Sequence, residues 1–142
     1  MRKSNYDKYP STSVNGSLWE GWDAILNQIK LDLSLQNGRH VLVVECYQGV
    51  HHKELLEQLA LLPVDERVDT RDLFRSEEEI EEMTRPFLTD DRLFGRRSSF
   101  SYADFLDNSK VEAFRRRLKQ LQGVVLVYGH GAAWVADQPD TL

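Results

Sequence analysis

Residues 40–54 read HVLVVECYQGVHHKE, an unbroken apolar run that ends in a short glycine-containing turn and opens into a helical pattern. The continuous apolar character of residues 41–45 is typical of a strand that is buried on both faces. A helix over about residues 52–62 is predicted next, because Pro63 closes the pattern. Backbone N–H groups at a helix start can hold an anion. This stretch therefore predicts both a strand-to-helix unit and a candidate site.

Helical and extended patterns alternate along the rest of the chain. This alternation predicts an α/β fold with a mainly parallel sheet flanked by helices. Trp19 and Trp22 are interpreted as packing anchors on the first helix. The first predicted helix covers residues 17–36, with capping-box spacing at Ser17 and Glu20, and a weaker strand is predicted over 66–72. Two further helices begin with capping boxes at Ser76/Glu79 and Ser109/Glu112, and between them lie a loop over 86–101 and a short helix over 102–106. A second continuous apolar strand is predicted over 124–128, and a sharp turn follows it over 129–131.

Composition and charge exclude several classes of function. The 142 residues carry a net charge of −5, which argues against a general nucleic-acid or anionic-membrane binder. No run approaches the roughly 18 apolar residues of a membrane helix. The single cysteine, Cys46, excludes an internal disulfide and suits a reducing cytoplasm. One cysteine and four histidines form no obvious zinc cluster, so no metal ligands are assigned.

The domain organisation is predicted from local composition. Residues 1–16 are polar and turn-rich, which indicates an extended N-terminal arm. Residues 17–142 are expected to form one α/β domain. No capping element is predicted after the last strand. That is typical of a piece truncated from a longer parent protein.

Residues 46–52 have the frame of a phosphate-binding loop without its usual chemistry. Such a loop reads G-x-x-x-x-G-K-[ST], whereas only Gly49 remains here, with Val50 and His51 where Lys and Ser/Thr would fall. The backbone N–H groups of residues 48–51, with Gln48 at their start, are a candidate site for a sugar phosphate or nucleotide. The alternative is a purely structural strand-to-helix turn.

Gly129, His130 and Gly131 form a second candidate site. They follow a buried strand, and ligands bind open α/β sheets at the carboxyl ends of strands. Glu45 ends the other buried strand and is expected to face them. A carboxylate and an imidazole at adjacent strand ends are either an acid/base pair or a structural hydrogen bond. Cys46 is interpreted as a buried thiol rather than a nucleophile.

The loop over residues 86–101 is a third candidate. Asp90 and Asp91 stand beside Arg92, Arg96 and Arg97, which is the composition of a lid that carries phosphate-binding arginines. Local ion pairs and solvated side chains are the simpler interpretation.

The order of these elements resembles the uridine-kinase-like branch of the phosphate-loop fold. In that branch a first strand and loop lead to a second strand that ends in acidic residues, and a helix and a further strand follow. Asp69, Asp72, Leu73 and Phe74 fall where such a kinase carries its post-strand aspartates. The resemblance implies a three-layer, kinase-like architecture whose phosphate loop is degenerate.

The chain resembles more closely the N-terminal segment of a long form of class I mannose-6-phosphate isomerases. The matching strings are SNYDKYP at residues 4–10, ECYQGV at 45–50, LTDDRLFG at 88–95 and VYGHGA at 127–132. The isomerases of this class interconvert mannose 6-phosphate and fructose 6-phosphate at a zinc ion in a cupin barrel. This chain lacks their Gln-x-His string, so the resemblance implies that zinc and catalysis belong to a downstream domain.

Three functions are compatible with these observations. The first is an accessory or regulatory domain of a sugar-phosphate isomerase, not catalytic by itself, that binds a phosphorylated ligand or packs on the catalytic domain. The second is a divergent phosphotransferase in which Lys53 or an arginine of the 86–101 loop replaces the missing lysine and Asp72 acts as the base. The third is a structural scaffold.

Overall fold

The computed structural model describes residues 9–13, 15–91 and 94–141. Helices and strands alternate along the described residues except that α3 and α4 are consecutive helices, and short 3-10 turns occupy Thr70–Leu73, Arg85–Phe87 and Tyr102–Phe105. The helices and strands in chain order are α1 (Trp22–Ser34), β1 (His40–Glu45), α2 (His52–Leu59), β2 (Glu66–Asp69), α3 (Glu77–Thr84), α4 (Asn108–Leu118), β3 (Val124–Gly129) and α5 (Ala132–Ala136).

The three strands form a parallel sheet in the order β1-β3-β2. Glu45 at the end of β1 lies opposite Gly129, and Asp69 at the end of β2 lies opposite Tyr128. The carboxyl ends of all three strands therefore meet at one edge of the sheet. The free edge of β1 carries a single parallel bridge from Leu42 to Thr141.

Helices cover both faces of the sheet. On one face, α4 and α5 pack over Val41, Val43, Val125 and Val127. On the other face, α1 and α2 pack over Leu42 and Leu126. Successive strand residues thus enter opposite cores, which explains why the apolar runs of β1 and β3 are unbroken. The α/β fold with a parallel sheet flanked by helices, which the sequence predicts, is therefore confirmed.

The capping box at the start of α3 is confirmed. The N–H of Glu79 donates to Ser76 Oγ at 3.2 Å, and the N–H of Ser76 donates to Glu79 Oε2 at 3.0 Å. The helix has no buried residue, so its acidic run is a solvated face, as predicted.

Two predicted helix starts are wrong. α1 begins at Trp22, because its N-cap residue, Gly21, has a backbone φ of 79° and has no side chain with which to cap the helix. Trp19 consequently lies outside the helix and is 45% exposed, whereas Trp22 packs against the core as predicted. α4 is capped by Asp107, whose carboxylate accepts from the N–H groups of Ser109 and Lys110 at 2.8 and 3.2 Å. A carboxylate one residue before the helix therefore replaces the predicted Ser109/Glu112 box.

The C-terminal region also differs from the prediction. α5 follows β3 directly, so the expectation of no further element after the last strand is wrong. Its five residues are too few for a periodic pattern to show. α2 ends at Leu59, before the predicted boundary. The parts of the predicted arm that the structure describes, residues 9–13, 15 and 16, are exposed and contain no helix or strand, and the rest of the arm lies outside the described residues. None of the helices in the described part of the chain is long and apolar enough to cross a membrane.

Candidate functional site

A cleft of about 590 Å³ opens at the edge where the carboxyl ends of the strands meet. Its lining combines aromatic rings with a few polar groups, and no lysine or arginine is among the described residues that line it. We call this space the cleft throughout. Its lining residues are Glu45, Cys46, Tyr47, Gln48, Phe74, Tyr102, His130, Gly131 and Trp134.

The carboxylate of Glu45 is bound to the start of α5. Oε1 accepts from the N–H of Gly131 at 2.6 Å, and Oε2 accepts from the N–H of Ala133 at 2.9 Å. A negative side chain is stabilised there by the free N–H groups and by the helix dipole. The predicted proximity of Glu45 to residues 129–131 is therefore confirmed. Both oxygens bind backbone N–H groups rather than the His130 ring, so the described contacts include neither the acid/base pair nor the hydrogen bond that was predicted between Glu45 and the His130 imidazole.

The turn after β3 is tightly packed. A Cβ on Gly129 would lie 2.2 Å from Thr70 Oγ1, and a Cβ on Gly131 would lie 2.0 Å from a carbon of the Tyr102 ring. The Tyr102 hydroxyl donates to the carbonyl oxygen of His130. Burial of the phenol, and secondarily the charge of Glu45, raises the pKa of Tyr102 to about 12. Tyr102 is therefore a neutral wall of the cleft at physiological pH.

The aromatic walls come from four separate segments. The rings of Phe74 and Tyr102 meet edge to face, with centroids 5.7 Å apart. Phe74 follows the 3-10 turn after β2 and forms an isolated antiparallel β-bridge with Leu106. This bridge holds the end of the 3-10 turn that contains Tyr102. Trp134 stands on α5 and is 43% exposed, and Tyr47 is 76% exposed in the turn after β1. Exposed aromatic rings converging on one cleft are typical of a ligand site.

A second cavity, of about 540 Å³, lies at the start of α2 and is called the α2 depression. His51 is the N-cap of α2 and makes no side-chain capping bond, while the N–H of Val50 donates to the Tyr47 carbonyl at 3.3 Å. The ring of His52 contacts the ring of His130 edge to face, with centroids 5.6 Å apart. Since His130 lines the cleft, this contact places the two cavities side by side. The depression is lined by Val50, His51, His52, Lys53, Glu54 and Glu57.

Six of the predicted site residues line one of these two cavities, and three do not. Glu45, Gln48, His130 and Gly131 line the cleft, and Val50 and His51 line the α2 depression. Gly49 lies in the turn between the two, with no atom within 4 Å of a Cβ built on it, and Gly129 is buried behind the cleft.

Asp72 is not brought together with the other predicted residues. It is exposed in the 3-10 turn after β2 and lines a separate groove of about 450 Å³ with Lys110 and Arg117. Its neighbour Asp69 accepts from the backbone N–H of Arg71 at 2.9 Å and from Arg71 Nε at 2.8 Å. Burial alone would raise the pKa of Asp69, but these bonds and the charge of Arg71 hold it below the ordinary value. Asp69, at the end of β2, therefore binds Arg71, whereas Asp72 faces the groove.

The predicted arginine lid receives no support from the described cavities. Arg96 and Arg97 are exposed, and neither lines the cleft or the α2 depression. The N–H of Arg96 donates to the carbonyl of Phe87 at 2.7 Å, which ties the loop back to the 3-10 turn before it. Asp90 and Asp91 are also exposed. Arg92 lies outside the described residues.

Cys46 is buried, and its surroundings are those of an unreactive thiol. Burial, partly offset by a hydrogen bond with Gly129, raises the pKa of Cys46 above its ordinary value. The thiol is free of any disulfide and donates to the Val44 carbonyl at 3.8 Å. Residues 9–13, 15–91 and 94–141 contain no group of three or more histidine, cysteine, aspartate or glutamate side chains arranged to hold a metal ion.

Sequence reasoning missed the aromatic walls formed by Tyr47, Tyr102 and Trp134. Tyr102 comes from a segment remote in sequence from the strands, so no local pattern places it at the cleft. Trp134 carries a detectable signal, because a large aromatic residue four positions after His130 follows the carboxyl end of a buried strand, where ligands bind.

A search of the curated proteins and a search of the solved structures each find no match. A family model described as "Domain of unknown function (DUF8485)" matches residues 21–142, which include all of the helices and strands named above. The chain is therefore a member of the DUF8485 family.

Proposed function

We propose that this chain is an accessory domain of sugar-phosphate metabolism that binds a phosphorylated sugar at the carboxyl edge of its sheet. The sugar ring occupies the cleft, and the phosphate occupies the α2 depression. The observation that carries this proposal is the aromatic cleft at the ends of β1 and β3, since open α/β sheets bind ligands at this edge.

The lining of the cleft suits a sugar ring. Phe74, Tyr102 and Trp134 present apolar surface, and a sugar ring has an apolar face of C–H groups that packs against aromatic rings. Gln48 and His130 are polar groups of the same lining that can exchange hydrogen bonds with hydroxyl groups. Apolar walls with a few orienting polar groups are the usual composition of a small-molecule site.

The phosphate is assigned to the α2 depression because this cavity, unlike the cleft, is lined by a lysine at the start of a helix. The cleft contains the carboxylate of Glu45 and no lysine or arginine among its described lining, so an anion is repelled there. The depression contains Lys53 and two histidines beside the free N–H groups of a helix start. Of the acids in that depression, Glu54 accepts a hydrogen bond from Trp22 Nε1 at 2.6 Å.

The parent protein follows from the resemblance to long-form mannose-6-phosphate isomerases. In this proposal the chain lies beside a downstream zinc-containing catalytic domain and binds that enzyme's substrate or product. The kinase-like three-layer architecture is proposed on the glycine turn between β1 and α2, the parallel pairing of β1 with β3 and the helices on both faces. The unpaired, buried thiol of Cys46 supports a reducing compartment, and we propose the cytoplasm.

The phosphotransferase alternative stays a prediction with a direct test. Lys53 lies in the α2 depression, as a replacement for the missing lysine requires, whereas Asp72, its proposed base, lines the separate groove beside β2. Magnesium-dependent ATP hydrolysis by the purified chain, lost in a Lys53→Met variant, would favour this function over ligand binding alone.

The experiment that tests the main proposal is thermal unfolding with mannose 6-phosphate, fructose 6-phosphate, mannose, inorganic phosphate and magnesium–ATP. A ligand that binds only the folded state stabilises it by about 2.7 kcal/mol at 100 times its Kd. We expect the phosphorylated sugars to raise Tm more than mannose or phosphate alone, because each of those fills one cavity only.

Two glycine variants locate the site. Gly49→Asp places a carboxylate beside the α2 depression and should abolish the shift. Gly38→Asp is the matched control, because Gly38 has a similar φ (84° against 94°) and equally open surroundings at the opposite edge of the sheet. No Tm shift with any phosphorylated sugar, or equal loss in both variants, would contradict the proposal.

A further inference from the structure

The short helix α5 is held at both ends by side chains of opposite charge. At its start the Glu45 carboxylate accepts two backbone N–H groups. At its end Arg115, on α4, donates from Nε to the Val135 carbonyl at 3.1 Å and from Nη2 to the Trp134 carbonyl at 2.6 Å. Negative charge at the start and positive charge at the end both complement the helix dipole. A helix of five residues is not stable by itself, so these contacts fix its position.

Arg115 makes a third contact, with the side chain that α5 presents to the cleft. The guanidinium carbon lies 4.7 Å from the centroid of the Trp134 ring, which is the geometry of a cation–π interaction. Arg115 thus binds both the backbone and the ring of Trp134. The ring lines the cleft, whereas Arg115 lines a different cavity with Leu118 and Ala136.

We propose that Arg115 is a positioning residue that holds Trp134 as a wall of the cleft. Its importance for binding rests on the proposed function, but the positioning itself does not. Arg115 acts on the cleft only through Trp134. A double-variant cycle should therefore show that the two residues are coupled.

The first measurement is the fluorescence of Trp134, in a chain whose other tryptophans, Trp19 and Trp22, are replaced by phenylalanine. Arg115→Gln removes the stacked cation and one of the two donated bonds. We expect the Trp134 emission maximum to move to longer wavelength and acrylamide quenching to increase, because the ring is released into water. Arg116→Gln is the matched control, since Arg116 is the next residue on α4 and its side chain forms an exposed ion pair with Glu112.

The second measurement is the affinity for mannose 6-phosphate in the chain that retains all three tryptophans. We expect Arg115→Gln and Trp134→Ala each to weaken binding by about tenfold, and the double variant to bind no more weakly than Trp134→Ala alone. Additive losses would overturn the proposal, because they would mean that Arg115 acts on the ligand independently of the ring.

Fluorescence and affinity separate the two proposals. If the wild-type chain binds no sugar phosphate, the proposed function fails, and the Trp134 emission still decides the positioning role. Unchanged emission and quenching in Arg115→Gln overturn that role whether or not a ligand binds. Circular dichroism identifies unfolded variants. If Arg115→Gln unfolds, Arg115→Lys keeps the charge but not the planar fork, and a smaller emission shift in the same direction is expected.

Discussion

The turns after β1 and β3 are built alike, and their surroundings differ. Each follows a buried apolar strand, contains glycine and leads into a helix at the same edge of the sheet. After β1, Gly49 has open space around it, and among the described residues no side chain caps α2. After β3, Gly131 lies against the Tyr102 ring, and Glu45 occupies the N–H groups at the start of α5.

This difference shows what decides whether such a turn is available to a ligand. The Glu45 carboxylate on β1 faces the start of α5 and satisfies the groups that an external anion would need. No described side chain caps the start of α2 in this way. The turn after β1 is thus the open one, although both turns fit the pattern of a candidate site.

The largest expected effect distinguishes the packed glycine from the open one. Gly131→Ala forces a Cβ into the Tyr102 ring at a φ of 69°, so we expect the free energy of unfolding to fall by about 3 kcal/mol. Gly49→Ala meets no neighbouring atom and should cost only about 1 kcal/mol, from its φ of 94°. Urea unfolding measures both values. Equal losses would mean that the two turns do not differ in packing.

The next effect concerns the carboxylate that closes the turn after β3. Glu45→Gln removes the charge and one acceptor from the start of α5, and we expect a loss of about 2 kcal/mol in unfolding free energy. Glu57→Gln, on the exposed face of α2, is the control and should change little. A Glu45→Gln variant as stable as the wild type would show that the α5 start needs no charge.

A smaller effect is expected at high pH, from the Tyr102 contact with the same turn. Since the pKa of Tyr102 is raised to about 12 in the folded state, the folded state is stabilised as long as the phenol is neutral. That contribution is full below about pH 10, the ordinary tyrosine pKa, and is lost as pH rises towards 12. Tyr102→Phe should cost about 1 kcal/mol at neutral pH, from the lost hydrogen bond to His130, and should flatten the stability curve above pH 10. Tyr47→Phe, an exposed ring, should leave the curve unchanged.

The smallest effect extends the comparison to the turn after β2. Asp69 accepts the N–H of Arg71 there, so this turn too is closed by a carboxylate of the chain. Its lowered pKa means that its contribution to stability is present above about pH 3.9 and is lost as pH falls through the folded-state pKa. When the pH falls from about 5 to 2, the free energy of unfolding of Asp69→Asn should decrease less than that of the wild type. The difference should be less than about 1 kcal/mol, because Arg71 is exposed. Asp72→Asn, from the same turn, is the control.

The fold class could be predicted because its signals are local. Two continuous apolar runs, separated by helical patterns, indicate buried parallel strands, and both runs form strands of one sheet. The start of α1 could not be predicted in the same way, because the capping spacing at Ser17 and Glu20 competes with the backbone of Gly21. α5 is stabilised by Glu45 and Arg115 rather than by its own five residues, and such distant partners leave no periodic signal.

The candidate site could be predicted only as far as the strand ends define it. Glu45 and residues 129–131 are neighbours because parallel strands end at the same edge. The side-chain contacts at that edge depend on packing that the sequence does not encode locally. His130 contacts His52 instead of Glu45, and Asp72 turns to the groove beside β2.

The return of the chain to the outer edge of β1 has a consequence for self-association. Residues 41–44 form an apolar window with three β-branched valines, of the kind that pairs with other chains when its backbone is uncovered. The backbone of Thr141 donates to the Val41 carbonyl at 3.1 Å and accepts from the Val43 N–H at 2.8 Å, and Asp140 Oδ2 accepts from the Val41 N–H at 2.7 Å. Residues 140 and 141 thus cover the outer edge of β1, and their removal would turn this apolar strand into a template for aggregation.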